Sequence, residues 1–277
     1  MANGKRAGRV VIIEAPESPR RVPIAGSHAP DLTRRIVQRN RPEGQPVLSQ
    51  TWEDALFLHW QVPVEILRPR VPKPLWIDTY KGSAWVTITA IDVRDSQPRF
   101  SPPLPWIRDF HEVNVRTYVH YDGIPGVWFF SLDADSRLTV SGARTFFHLP
   151  YFPSQVVHEV EGRRVHFRSL RRTNEESASF TATWTARPEV QEASPGSLEF
   201  FWVERYSLYV ADESELYRAR IFHEPWPIRE VQQANHDTTL LDVNGIPPHI
   251  GEREHVRAMV GGPVHAEIWP LEPLGDL

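Results

Sequence analysis

The sequence predicts a β-rich domain, all-β or α+β, with a few short helices behind a proline-rich leader. Three observations carry this. Short runs of β-branched and aromatic residues recur between Gly, Pro, Asn and Asp signals. Few stretches suit a helix. The 277 residues bound the chain to one or two domains, and single β domains of such length are common.

Residues 1–46 contain six prolines, many charges and few aromatics, so they predict a disordered leader. The domain itself is expected over 47–277. Pro63 opens a short helix over 64–68 that Pro69 and Pro72 must end. Trp85, Thr87, Thr89 and Ile91 alternate with Val86, Ile88 and Ala90, which predicts a strand over 84–93. Residues 98–106 hold four prolines and exclude a central strand or helix. Strands are expected over 112–121 and 127–133 around the turn Asp122-Gly123. A helix fits 135–147. Further strands are expected over 155–160, 164–171, 178–187, 199–210, 216–223 and 264–269, with a weaker helix over 228–243.

The formal charge of −4 hides an asymmetry. Residues 1–50 hold nine basic against four acidic side chains, a charge of +5, so the remainder carries −9. So acidic a body excludes wrapping nucleic acid. The chain has no cysteine, hence no disulfide or thiolate chemistry, which fits a reducing, cytoplasmic setting. No secretory signal is expected, because the early apolar run Val10 to Ile13 is too short. No membrane span is expected either.

Motif chemistry is sparse. Glycine loops for phosphates and the nucleophile elbow are absent. The twelve histidines show no HxH or HExxH spacing, so no metal and no cofactor is expected. A polar constellation stands out at Glu112, Asn114, Arg116, Tyr118, Ser131, Asp133 and Arg144. Asn114, Arg116 and Tyr118 share one strand face, Ser131 and Asp133 share another, and pairing as a hairpin would align the two faces. An arginine there suits a ligand carboxylate, or an internal salt bridge to Asp133 or Glu112. Glu204-Arg205-Tyr206 poses the same choice. His148 and Tyr151 are candidates for acid and base, or for packed core residues.

Several strings, taken in order, carry a resemblance: FLHWQVPVEILRP (57–69), DTYKGSAWVTI (78–88), PRFSPPLP (98–105), EVNVRTYVHYDGIPGVWFFSLDA (112–134), ARTFFHLPY (143–151), ERYSLY (204–209) and HEPWP (223–227). They resemble the YqjF-like family of the acetoacetate decarboxylase-like superfamily. The resemblance implies a closed, cone-like β-sheet with a central cavity. The decarboxylase pattern is Gly-Arg-Glu, four residues, then Pro-Lys-Lys. Here Arg144 and Pro150 hold their places, while Thr145 stands for the acid and Tyr151 for the Schiff-base lysine. Only Lys5, Lys73 and Lys81 occur in the chain, in the leader or beside turns and prolines, so imine chemistry is not expected.

Three readings follow. The first is a small-molecule-binding protein whose Arg116 and Arg144 hold the polar end of an apolar ligand among Trp128, Phe130, Phe146 and Tyr151. The second is a lysine-independent enzyme using Tyr151 or His148 as acid or base. The third is a non-catalytic interaction module acting through its basic leader. Self-association into a homo-oligomer is compatible with all three.

Overall fold

The computed structural model describes residues 29–99, 101–102, 105–173, 176–251 and 256–277. After helix α1 (Leu32–Val37) come β1 (Leu48–Val62), α2 (Val64–Leu67), β2 (Trp76–Ile77), β3 (Ala84–Pro98), α3 (Pro105–Arg108), β4 (Phe110–Tyr121) and β5 (Ile124–Ala134). Next are α4 (Arg137–Phe147), β6 (Tyr151–Glu161), β7 (Arg164–Arg172), β8 (Ser177–Ala186), β9 (Gln191–Glu192) and α5 (Leu198–Val203). The chain ends with β10 (Ser207–Ala211), β11 (Glu215–His223), β12 (Pro227–Thr238), α6 (Leu240–Val243), β13 (Arg257–Gly261) and β14 (Val264–Asp276). The β-rich expectation holds, and most expected strands appear within a few residues of their predicted bounds.

The strands form one sheet that closes on itself twice. One circuit runs β1-β3-β4-β5-β6-β7-β8-β12-β13 and returns to β1. A second runs β1-β3-β4-β5-β10-β11-β14 and also returns to β1. The two share the wall β1-β3-β4-β5. Closure removes most free sheet edges, and it leaves the shared wall buried on both faces. In β1, Leu56, Leu58 and Trp60 enter the core of the first circuit with Val86, Ile88, Val113, Val115, Phe167 and Phe180. Phe57 belongs to the core of the second circuit with Trp85, Tyr118, Phe201, Trp202 and Leu208. Such double burial is why successive side chains are buried over Ala55 to Trp60 of β1 and Ala84 to Val93 of β3.

Three expectations are corrected. Residues 199–210 form α5 and then β10, not one strand. The aromatic run Phe200-Phe201-Trp202-Val203 has strand propensity. However, Ser197 caps a helix by accepting from Phe200 N at 3.1 Å, and the helix buries all four side chains. Residues 228–243 are β12 followed by the one-turn α6, because pairing with β8 and β13 outweighs the helix propensity of Glu, Gln and Ala.

The leader is the third. Its residues 1–28 lie outside the described residues. Over 29–46 the chain carries α1, capped by Asp31, whose side chain accepts from Arg34 N at 2.7 Å. Its arginines are anchored to the body. Arg35 makes two hydrogen bonds to Asp78, at 2.7 and 2.6 Å. Arg39 donates to Glu204 at 3.1 Å, and Arg41 grips Glu267 at 2.7 and 2.8 Å. Each guanidinium also lies over an aromatic ring, Phe201, Phe200 and Trp269 in turn. A segment poor in apolar residues is ordered here by charge pairs and cation–π contacts.

Candidate ligand-binding site

The inner face of the second circuit is laid out in rows by strand register. His59 pairs with Thr87, and Thr87 with Arg116. Phe57 pairs with Thr89, and Thr89 with Asn114. Antiparallel partners share a face, so these side chains point into one compartment. Helix α5 covers it: Trp202 stacks on His59 with centroids 4.1 Å apart, and Phe201 packs on Tyr118.

This compartment is unusually rich in polar atoms without partners. Arg116 Nε, His59 Nε2, Thr89 Oγ1, Asn114 Oδ1 and the indole nitrogens of Trp85 and Trp202 are all buried and unbonded. Buried polar atoms are nearly always hydrogen-bonded, so five on one sheet face and a sixth on the helix that covers it set this compartment apart from an ordinary core. Arg116 lies over Phe57, 5.5 Å from the ring centroid. Burial lowers its affinity for the proton, an effect that Tyr118 and Glu112 partly offset. Arg116 as a whole is half-buried, whereas the two fully buried arginines among the described residues are ion-paired: Arg171 grips Asp133 with two bonds of 2.6 Å, and Arg205 meets Asp78 at 2.6 Å.

Glu112 and Tyr151 close one end. Tyr151 donates its hydroxyl to Glu112, and Asn114 Nδ2 donates to the same carboxylate at 2.8 Å. Burial raises Glu112 above the usual carboxylate range against the pull of Tyr151, Asn114 and Arg116. Burial, followed by the Glu112 charge, pushes Tyr151 well above the normal phenol range. Tyr151 is therefore a hydrogen-bond donor at neutral pH and is unsuited to act as a base. His59 Nδ1 lies 2.8 Å from Thr87 Oγ1, which lies 2.7 Å from Tyr118 Oη. Burial, then the Arg116 charge, lowers His59 well below its ordinary range, so its imidazole is neutral.

Glu112, Asn114, Arg116, Tyr118 and Tyr151 thus come together, and other expected members do not. Register places Asn114 opposite Leu132 and Val113 opposite Asp133. Ser131 and Asp133 therefore point into the first circuit. There Asp133 binds Arg171, and Ser131 Oγ accepts from Asn244 at 2.9 Å. The hairpin forms as expected, but its polar faces are opposed instead of aligned. Arg144 is exposed on α4 and donates to the Tyr151 carbonyl at 2.6 Å, so it holds the Tyr151 backbone from outside.

His148, in the left-handed conformation that ends α4, is exposed and stacks on Tyr217. It lines a separate surface groove of about 250 Å³ with Arg70, Trp128, Phe130 and Tyr209. Phe146 is 73% exposed. Trp128, Phe130, Phe146 and His148 are therefore not the compartment's lining. Glu204, Arg205 and Tyr206 form structural pairs with Arg39, Asp78 and Glu204 respectively. The sequence reading missed His59, Trp85 and Trp202. Only strand pairing and the α5 helix bring them beside Arg116. Lys73 and Lys81 are both exposed.

The doubly closed sheet is an acetoacetate decarboxylase-like fold. Acetoacetate decarboxylase from Legionella pneumophila superposes with a TM-score of 0.58 at 12% identity, covering 85% of this chain and 92% of that one. The enduracididine biosynthesis enzyme MppR, complexed with the condensation product of pyruvate and imidazole 4-carboxaldehyde, gives 0.59 at 12% identity, covering 84% and 90%. At such identities the likeness shows the fold alone. By sequence, the chain belongs to DUF2071, a family of uncharacterized conserved proteins that matches residues 49–261. It is 42% identical to the uncharacterized protein YqjF of Bacillus subtilis (strain 168) over 217 residues, 78% of this chain and 89% of that protein.

Proposed function

We propose that this protein binds a small organic carboxylate in the compartment of the second circuit, with Arg116 as the partner of the anion. The observation that carries the reading is the cluster of unbonded buried polar atoms around Arg116. Five of the six sit on β1, β3 and β4, and the sixth on the covering helix. A carboxylate beside Arg116 would supply the negative charge that the buried Arg171 and Arg205 already have, and its second oxygen would suit the His59 or indole donors. Phe57, Trp85 and Trp202 would pack its apolar body. That MppR has been captured with a pyruvate-derived ligand supports small oxo acids as the first class to try.

Imine formation has no part in this reading, since Tyr151 stands at the expected lysine position and donates to Glu112. Turnover is a second reading, favoured by one observation. Burial raises Glu112 above its ordinary value, and a carboxyl shifted in that direction beside a bound carbonyl suits acid–base work. Tyr151 would then orient Glu112. The interaction-module reading is weakened because Arg35, Arg39 and Arg41 are already engaged by the body's own acids.

The test is native mass spectrometry of the full chain, followed by calorimetry with pyruvate and acetoacetate. Binding should weaken at least about tenfold, or about 1.4 kcal/mol, in Arg116→Met. Equal affinity in a folded Arg116→Met protein would remove the reading. Borohydride treatment with pyruvate should leave the protein mass unchanged, and a stable adduct would overturn the imine-free chemistry.

A further inference from the structure

The opposite face of the shared wall carries a second cluster. Asp92 in the middle of β3, His111 at the start of β4 and His158 on β6 each offer one ligating atom, all within 4.8 Å of one another. These residues are 19 and 47 positions apart in sequence. The spacing rules that found no metal motif therefore do not bear on them, since strand pairing alone brings them together. The cluster lies with Phe167 beneath the histidine rings, away from Arg116 and its compartment.

The groups around the cluster hold it in a ligand-like arrangement. Asp135 Oδ2 lies 2.8 Å from His111 Nδ1, and Asp135 Oδ1 accepts from the His111 backbone N–H at 2.9 Å. A carboxylate on one imidazole nitrogen fixes the tautomer and turns the other nitrogen toward a metal. Arg94 Nη2 holds Asp92 Oδ2 at 2.6 Å and leaves Oδ1 to the cluster. Asp92 is only 6% exposed. Its Oδ1 lies 2.9 Å from His111 Nε2, yet is buried without a well-formed hydrogen bond. His158 Nδ1 lies 3.5 Å from Asp92 Oδ2, the oxygen that Arg94 holds, so the two histidines approach the carboxylate at different oxygens. The His111 side chain keeps a quarter of its surface accessible, which gives solutes a way in.

We propose that Asp92 Oδ1, His111 Nε2 and His158 Nδ1 form a binding site for a divalent transition metal of the zinc type, with Asp135 and Arg94 as its outer supports. Two imidazoles and one carboxylate are a donor set that zinc accepts, and three protein ligands leave a fourth position for water. Slight closure of the ligands would bring them to the roughly 2.0–2.2 Å bonds zinc requires. Metal entry would displace any proton on His111 Nε2 to solvent while Asp135 keeps the one on Nδ1, so charge and protons balance.

The experiment is equilibrium dialysis of the metal-stripped full chain against zinc alone, with bound metal measured by mass spectrometry. The expected result is one equivalent of zinc per chain. Occupancy at the same free zinc should fall at least tenfold in His158→Ala and in Asp92→Asn. Asp135→Asn should weaken binding about 10- to 100-fold. His265→Ala, at an exposed histidine on β14, should leave binding unchanged. Cobalt(II) provides the second readout, a tetrahedral absorption spectrum present in the wild type and lost in His158→Ala. No zinc bound by the wild type would overturn the proposal. So would undiminished zinc and an unchanged cobalt spectrum in the folded His158→Ala protein.

Discussion

Tyr151 donates its hydroxyl to the buried carboxylate of Glu112, joining β6 to β4 at the end of the Arg116 compartment. Tyr151→Phe removes that donor and leaves Asn114 Nδ2 as the remaining direct donor to Glu112 among the described residues. A buried charged acceptor that loses a partner costs about 1–3 kcal/mol. Chemical denaturation should show a loss of that size, and a double-mutant cycle with Glu112→Gln should recover most of it. Additive single effects would mean that the two side chains are not energetically coupled.

Arg35→Ala should destabilise the fold by about 2 kcal/mol. Asp78 would keep Arg205 but lose two hydrogen bonds to Arg35, and a buried carboxylate stripped of part of its compensation is costly. Burial pushes Asp78 up, but Arg205 and Arg35 outweigh it and hold its folded pKa below the ordinary value. Its stabilising contribution is therefore present above the unfolded carboxylate range and lost as pH falls through the folded value. The gap between wild type and Arg35→Ala should narrow in strong acid. A gap independent of pH would contradict the ion-pair account.

His59 should make stability fall as pH drops below about 6.5, the unperturbed imidazole value. Burial and the Arg116 charge lower its folded pKa, so the unfolded chain takes up a proton that the folded chain refuses. His223, fully enclosed against Trp226 and Tyr206, is lowered by burial as well and acts in the same direction. Denaturation midpoints between pH 7 and 5 should slope downward, and His59→Gln should flatten part of that slope. An unchanged slope in His59→Gln would show that this imidazole is not the group involved.

Gly126→Ala should destabilise by about 1–3 kcal/mol, the usual cost of overpacking. Gly126 lies beside the parallel contact of β5 with β10, where a Cβ would meet Ser207 O and a Tyr209 ring carbon, both at 2.6 Å. Thermal melts would report the loss directly. Gly142→Ala is the contrast, because nothing lies within 4 Å of a Cβ there.

The β-rich class and most strand positions were legible because alternation and turn residues act locally. The even-numbered face of β4 was legible for the same reason: period two alone groups Glu112, Asn114, Arg116 and Tyr118. The contents of the opposite strands were not. Whether Asp133 joins Arg116 or Arg171 depends on a register that no single strand encodes. The leader failed differently. Composition correctly reports that residues 29–46 bury little apolar surface, but their arginines are ordered by Asp78, Glu204 and Glu267, which lie far away in sequence. The +5 and −9 segments are in part complementary halves of one surface. Helix α5 escaped notice because its aromatic residues favour strands, and only the Ser197 cap signals otherwise.

Because β4 stands between two enclosed interiors, it has no neutral side. A single inserted or deleted residue would not merely expose an apolar side chain to water. It would send Arg116 among Val86, Ile88 and Phe180, and put a valine in its place. Length changes in this strand should therefore be far less tolerated in a library of variants than substitutions that keep its alternation, and the two interiors can diversify only by exchanging residues on alternate positions of the same ribbon.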